Sequence, residues 1–216
     1  MKTKNNITIL VVSSIICLLP MVLSIVLYKD LPEQIAIHWG TSGNPDTYVP
    51  KYIAAFGLPI LLTLVSIFSK VWLFNDPKRA DTSKIMQMIM LWIIPVISLV
   101  IVPVTLYIAM GVMIPITMIV PLIVGIIFIV CGNYLPKNRQ NYTIGYKIPW
   151  TLNDADNWNK THRIAGILWI LSGVVLIIQA FLGFESAVWL ILSVIIAVIF
   201  LLIPVFYSFI LYKKST

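Results

Sequence analysis

Between Ile85 and Leu135 the chain carries no charged residue. A run of that length has no place inside a water-soluble domain, and it is too long for one ordinary helix. Crossing a hydrocarbon layer takes about 20 apolar residues, so the run reads as two spans joined by a turn. Gly111 is the candidate for that turn, since glycine relieves the backbone where a helix must stop. Similar apolar stretches recur on either side. The expected spans are Ile7–Tyr28, Tyr52–Phe74, Ile85–Ala109, Ile114–Tyr134, Ile164–Leu182 and Ala187–Tyr212. This pattern predicts an all-α integral membrane protein, a bundle of six transmembrane helices forming one polytopic domain over residues 1–216.

Composition agrees: 60% of residues are hydrophobic and 11% are charged, against about 25% charged in soluble domains. The formal charge of +7 does not point to nucleic acid, because the basic residues lie at the ends of apolar segments. With the N-terminus inside, all but two of the 15 Lys and Arg residues fall on the cytoplasmic side. Only Lys29 and Lys51 fall outside, and the reverse orientation would break the positive-inside rule. Of the acidic residues, Asp30, Glu33, Asp46 and Glu185 lie outside. The expectation is a multi-pass protein of the cell membrane with both termini in the cytoplasm. The first apolar run exceeds a secretory h-region and has no Ala-x-Ala site after it, so it reads as a retained span.

The spans are poor in chemistry. No Asp, Glu, Lys, Arg or His is expected deep inside any of them, Lys70 being placed near the end of the second, and intramembrane ionisable residues are what proton relays use. Gln179 reads as an interhelical hydrogen-bonding group or, alternatively, a ligand contact. Cys17 and Cys131 read as small buried hydrophobes. There is no His-Glu-x-x-His pattern. The two histidines, His38 and His162, fall on opposite sides of the bilayer and cannot share a metal. These absences predict no enzyme, no catalytic residue, no metal and no cofactor. The intraspan prolines, among them Pro20, Pro59, Pro95, Pro103, Pro121 and Pro204, read as kinks that neighbours repair. The alternative is a broken helix around a transported substrate.

Two loops are long enough to carry function. The extracytoplasmic loop 29–51 shows period-two alternation over Gln34–Trp39 (Ile35, Ile37 and Trp39 against Gln34, Ala36 and His38), then turn residues from Gly40 to Asp46. It reads as an extended segment, a turn and a return to the membrane. It is either a folded cap over the helix ends or a receptor surface presenting His38, Trp39 and Asp46. The cytoplasmic loop 136–163 carries Arg139, Asn141, Gly145, Lys147, Pro149 and Trp150, with Asn133 just before it. Thr151 or Asn153 is a candidate cap for a short helix, Thr151 and Asp154 having the spacing of a capping box. Trp158 and His162 lie four apart on one helical face, and Arg163 opens the fifth span. The loop reads either as an interfacial helix near anionic lipid or as a docking platform. The sequons at Asn6, Asn141 and Asn159 lie at the membrane edge or inside and read as chance matches.

The stretch Gly132-Asn133-Tyr134-Leu135-Pro136-Lys137, with Asn141, Gly145, Pro149-Trp150-Thr151-Leu152, Trp158, Lys160-Thr161-His162-Arg163 and Gly166, closely resembles the SdpI family. Leu31-Pro32, Ile35, His38-Trp39, Gly43, Pro45-Asp46 and Lys51 are similar to the uncharacterised domain that often precedes it. Together the likeness covers essentially the whole chain. It implies a bacterial six-span membrane protein that protects against an extracellular peptide toxin of the cannibalism type. It also implies signalling by holding a winged-helix transcriptional autorepressor at the membrane, with no direct contact to nucleic acid. Where family members often carry Arg and then Thr or Leu ahead of Pro-Trp, this chain has Lys147 and Ile148. Lys147 keeps the charge but lacks the bidentate fork. The expectation is an immunity or sensor protein, with a small-molecule or peptide transporter as the alternative.

Overall fold

The computed structural model describes residues 2–40, 43–182 and 187–215. Among them, six helices are long and apolar enough to cross a membrane: Asn5–Leu27, Ile53–Phe74, Lys84–Ala109, Ile116–Lys137, Ala155–Leu182 and Val194–Lys214. The chain is therefore a multi-pass integral membrane protein of helical architecture. The expected spans and these helices agree within three residues at each end, except that the fifth begins nine residues earlier than Ile164 and the sixth begins at Val194, within a helix that itself starts at the expected Ala187. Glu185, expected in the last connection, lies outside the described residues.

The chain forms two compact units, Met1–Phe74 with Met88–Pro115, and Asn75–Gln87 with Ile116–Thr216. The first unit contains α1 (Lys2–Leu18), α2 (Pro20–Leu27), the strands β1 (Gln34–Trp39) and β2 (Pro45–Pro50), α3 (Leu58–Phe74) and most of α4 (Lys84–Ala109). Pro20 starts α2 and separates it from α1, as a residue without an N–H must. A π-helical turn, Ile53–Gly57, leads into α3. Pro59 has no N–H to offer the carbonyl of Ala55, four residues back. Instead, the Ser24 hydroxyl donates to that carbonyl at 2.7 Å, the kind of repair that lets proline sit in a membrane helix. Gly111 ends α4 with φ +87°. The N–H of Val112 bonds Tyr107 O and that of Gly111 bonds Ile108 O, both at 3.0 Å, which is a Schellman closure. The turn predicted at Gly111 is present.

The loop after α2 is an antiparallel hairpin, in which the expected extended segment is a strand and the returning segment pairs with it. Gln34 pairs with Pro50, Ile35 with Val49 and Ala36 with Tyr48. An irregularity between Ala36 and His38 shifts the register, and His38 pairs with Thr47. This bulge breaks the expected alternation: Ile35 is buried and Ile37 is exposed. Ile35 enters an apolar cluster with Leu31, Ala54, Ala55, Val102 and Leu106, which ties the hairpin to α4 and the π turn.

The second unit contains the segment around a 3-10 turn at Arg79–Asp81, α5 (Ile116–Tyr134), a 3-10 turn at Leu135–Lys137, α6 (Pro149–Asn153), α7 (Ala155–Leu182) and α8 (Ala187–Ser215). Helices α5 and α7 run antiparallel and touch backbone to backbone at two levels. A Cβ on Gly125 would lie 2.7 Å from Gly173 O, and one on Gly132 would lie 2.7 Å from Gly166 O. Both pairs are spaced seven residues apart, two turns of helix, so they share one face. Small residues that let backbones approach are a common way to join helices where lipid supplies no hydrophobic drive.

Candidate functional site

In the hairpin, the shifted register brings His38 beside Asp46. His38 Nδ1 lies 2.6 Å from Asp46 Oδ1, and Thr47 Oγ1 donates to the same oxygen at 3.1 Å. The His38 bond holds the Asp46 carboxyl below its usual value of 3.8. Both side chains remain open to solvent, 67% and 48% exposed. At the hairpin base, Lys51 Nζ donates to Glu33 Oε1 at 2.9 Å, and Lys51 N donates to Glu33 O at 3.0 Å. Trp39 is half-buried and pairs with Pro45. His38, Trp39 and Asp46 thus come together at the tip.

In the second unit, the loop before α7 is folded by buried polar side chains. Asp76, from the turn after α3, accepts hydrogen bonds from Lys78 N at 2.8 Å, from Tyr142 N at 3.0 Å and from the Thr143 hydroxyl. Asn138 accepts from Ser83 N at 2.9 Å and donates to Tyr134 O at 2.9 Å. Asn141 accepts from the N–H groups of Thr143 and Ile144. Each of these side chains supplies partners that irregular backbone lacks. Sequence reasoning missed Asp76. The available signal was an Asn-Asp-Pro placed where an apolar span ends in otherwise basic surroundings.

Trp158 and His162 form the centre of this loop assembly, and both are wholly buried. The Trp158 indole N–H donates to Asn138 O at 2.8 Å. His162 Nδ1 lies 2.8 Å from Trp158 O, and Tyr146 N donates to His162 Nε2 at 3.0 Å. A carbonyl only accepts and a backbone N–H only donates, so the ring is neutral with its proton on Nδ1. Gly145 has φ +116°, and a Cβ there would run into His162 Nε2. The loop closes over the ring only with glycine at that position. Tyr146 also receives the Trp169 indole N–H at 2.9 Å, and burial pushes its phenol above the usual value.

The cap expected at Thr151 or Asn153 falls elsewhere. Thr151 sits in the first turn of α6, where its hydroxyl accepts from Ile148 N at 3.2 Å. Asp154 caps α7, accepting from Asp156 N at 2.8 Å and Asn157 N at 3.2 Å. Because α6 ends at Asn153 and α7 starts at Ala155, the segment with Trp158 and His162 belongs to a spanning helix. Asn157 ties it to α8: Asn157 Nδ2 donates to Ser208 O at 3.0 Å, and Ser208 Oγ donates to Asn157 Oδ1 at 2.6 Å.

The predicted loop residues therefore divide by position. Asn141, Gly145, Trp158 and His162 are interior or close over the interior. Asn133, Arg139, Lys147, Pro149 and Arg163 are exposed. Lys147 Nζ donates to Thr143 O at 3.0 Å, and Arg139 N donates to Asp81 O at 3.0 Å. Trp150 is half-buried against Phe209 and Tyr212 at ring separations of 5.5 and 6.1 Å.

Lys70 lies near the end of the second span, as expected, but it is 0% exposed and donates to Ser66, one turn back toward the span interior. Its aliphatic stem does not carry the charge outward to water as end-placed lysines usually do. Among the described residues, no three His, Cys, Asp or Glu side chains gather as a metal site.

Residues 137–208 match the SdpI/YfhL protein family, and residues 15–63 match a domain of unknown function (DUF1648). The immunity protein SdpI of Bacillus subtilis (strain 168) is 30% identical over 206 residues, 94% of this chain and 96% of that protein. No solved structure matches the chain. The two matched segments hold the hairpin and the loop assembly, and with likeness running through nearly the whole length, the chain belongs to the SdpI/YfhL protein family.

Proposed function

We propose that the chain is a non-enzymatic immunity protein that protects its cell against an extracellular antimicrobial peptide. The observation that carries this reading is the end-to-end similarity to a protein whose name is that of an immunity protein. The distribution of Lys and Arg supports an orientation with both termini in the cytoplasm. The hairpin then faces the outside, with His38, Trp39 and Asp46 as the toxin-facing group, and residues 136–163 face the cytoplasm. The exposed Asn133, Arg139, Lys147, Pro149 and Arg163, with Trp150 beside them, form the surface offered to a cytoplasmic winged-helix repressor. Interior Asn141, Gly145, Trp158 and His162 hold that surface in shape.

The test is a gene deletion challenged with purified cannibalism-type peptides. Sensitivity is expected to rise, and the wild-type chain supplied in trans is expected to restore protection. Unchanged sensitivity after deletion overturns the reading. A variant carrying His38→Ala, Trp39→Ala and Asp46→Ala that inserts normally is expected to lose protection, and full protection removes the hairpin from the mechanism. Labelling of Arg139→Cys from the external side of intact cells would reverse the assigned orientation.

A further inference from the structure

Within the first unit, a polar group lies inside a bundle that the sequence makes almost wholly apolar. Ser13, Cys17, Ser66, Lys70 and Ser98 are all buried. Lys70 donates to Ser66 Oγ, its single hydrogen-bond partner among the described residues. The Cys17 thiol lies within electrostatic reach of the Lys70 amine. Ser98 Oγ donates to Cys17 O at 2.7 Å, which brings α1 and α4 together beside α3. Cys17 falls near the middle of the span Asn5–Leu27, and Ser98 near the middle of Lys84–Ala109. Lys70 therefore turns away from its own near end of α3, toward mid-span.

An ammonium there has three N–H donors and one oxygen, Ser66 Oγ, to receive them. No counter-charge exists in the surrounding helices. The spans Asn5–Leu27 and Ile53–Phe74 contain no Asp or Glu, and in Met88–Ala109 of α4 the one ionisable side chain is Tyr107. Cys17 is the titratable group that faces Lys70 from α1. A buried unpaired charge is costly, and in a bilayer such groups pair or mark a pathway. A buried amine sheds its charge by releasing a proton.

We propose that Lys70 is a proton-binding site of the first unit, whose occupancy is coupled to opening of the α1–α3–α4 interior. The step is Lys-NH3+ to Lys-NH2 plus H+, with the proton passing to water and returning from it. The closed packing holds the uncharged amine. The ammonium takes up water, and the helices part to admit it. This inference goes beyond the immunity reading and stands or falls separately from it.

The natural reporter is Cys17, one of two cysteines in the chain. The full-length protein carrying Cys131→Ala is placed in nanodiscs and reacted with 4,4′-dithiodipyridine, which attacks thiols in acid as well as alkali. Rates are expressed relative to free cysteine at the same pH. Between about pH 9 and about pH 5, the relative rate at Cys17 is expected to rise at least about tenfold, as a population shift between closed and open states requires. With Lys70→Met added, the rate is expected to stay low and flat. With Lys70→Arg, charged at every pH, it is expected to stay high. A flat profile in the Cys131→Ala protein overturns the proposal, as does a pH-dependence that survives Lys70→Met. Should Lys70→Arg fail to insert, the comparison with Lys70→Met decides alone.

Discussion

The imidazole of His162 lies flat on the indole of Trp158, with ring centroids 3.9 Å apart and planes inclined by 23°. They stand one turn apart on α7, and the same ring accepts the N–H of Tyr146. One side chain thus locks the loop to the helix by stacking and by a directed hydrogen bond. Replacing it by Phe keeps the stack and leaves Tyr146 N–H without a partner. His162→Phe is expected to cost about 1–3 kcal/mol, the penalty for an unsatisfied buried donor. Thermal unfolding of the detergent-solubilised protein measures it, and an unchanged midpoint would refute the assignment of Nε2 as acceptor.

Gly145→Ala places a methyl group against His162 Nε2 in a backbone region that L side chains rarely adopt. Strain of this kind costs about 1–3 kcal/mol. The loop is expected to lift from α7. Trypsin, which cuts after Lys and Arg, should then cleave after Arg139 and Lys147 faster than in the wild type.

Asp76→Ala removes the acceptor shared by Lys78 N, Tyr142 N and the Thr143 hydroxyl. Groups left unpaired cost about 1–3 kcal/mol apiece when water does not replace the acceptor. The same tryptic sites are expected to open. Asp76→Asn, which keeps one acceptor oxygen, is expected to fall between wild type and Asp76→Ala.

At the α5–α7 crossing, Gly166→Ala would put a methyl 2.7 Å from Gly132 O, whereas Gly57→Ala would meet ordinary contact at 3.4 Å. Overpacking costs about 1–3 kcal/mol. The yield of folded protein on size-exclusion chromatography is expected to fall for the first variant and to hold for the second.

The hairpin gives a pH prediction. Asp46 has its folded value lowered below 3.8 by the His38 hydrogen bond. A depressed carboxyl stabilises above its unfolded value and loses that contribution as pH falls through the folded one. The His38–Asp46 link is therefore expected to persist from neutrality down through about pH 4 and to release below it. The chemical shifts of the His38 ring, followed by NMR, report this. In Asp46→Asn the acid transition is expected to vanish.

The spans were legible because hydrocarbon demands length and apolarity, and both are written locally. The strand at Gln34–Trp39 was legible from alternation, but its partner Pro45–Pro50 was not, because two prolines mask an edge strand. The close α5–α7 contact was written in Gly125, Gly132, Gly166 and Gly173, a spacing visible only when two helices are compared. Asp76 and Lys70 escaped for a different reason. Their roles depend on where a side chain turns in three dimensions, and a linear count places both merely near a span end. Trp158 and His162 were assigned to one helical face, and the structure adds that this face is interior.

The two nitrogens of residue 162 are committed in opposite senses, one giving a proton and the other receiving one across a single flat ring. No other member of the genetic code offers that pairing on a rigid plane. Asparagine and glutamine have both functions but on one end of a branched amide, and tyrosine has them on a single oxygen. Position 162 should therefore have no conservative exchange, and across a saturation library ranked by thermal midpoint histidine is expected to stand above every replacement.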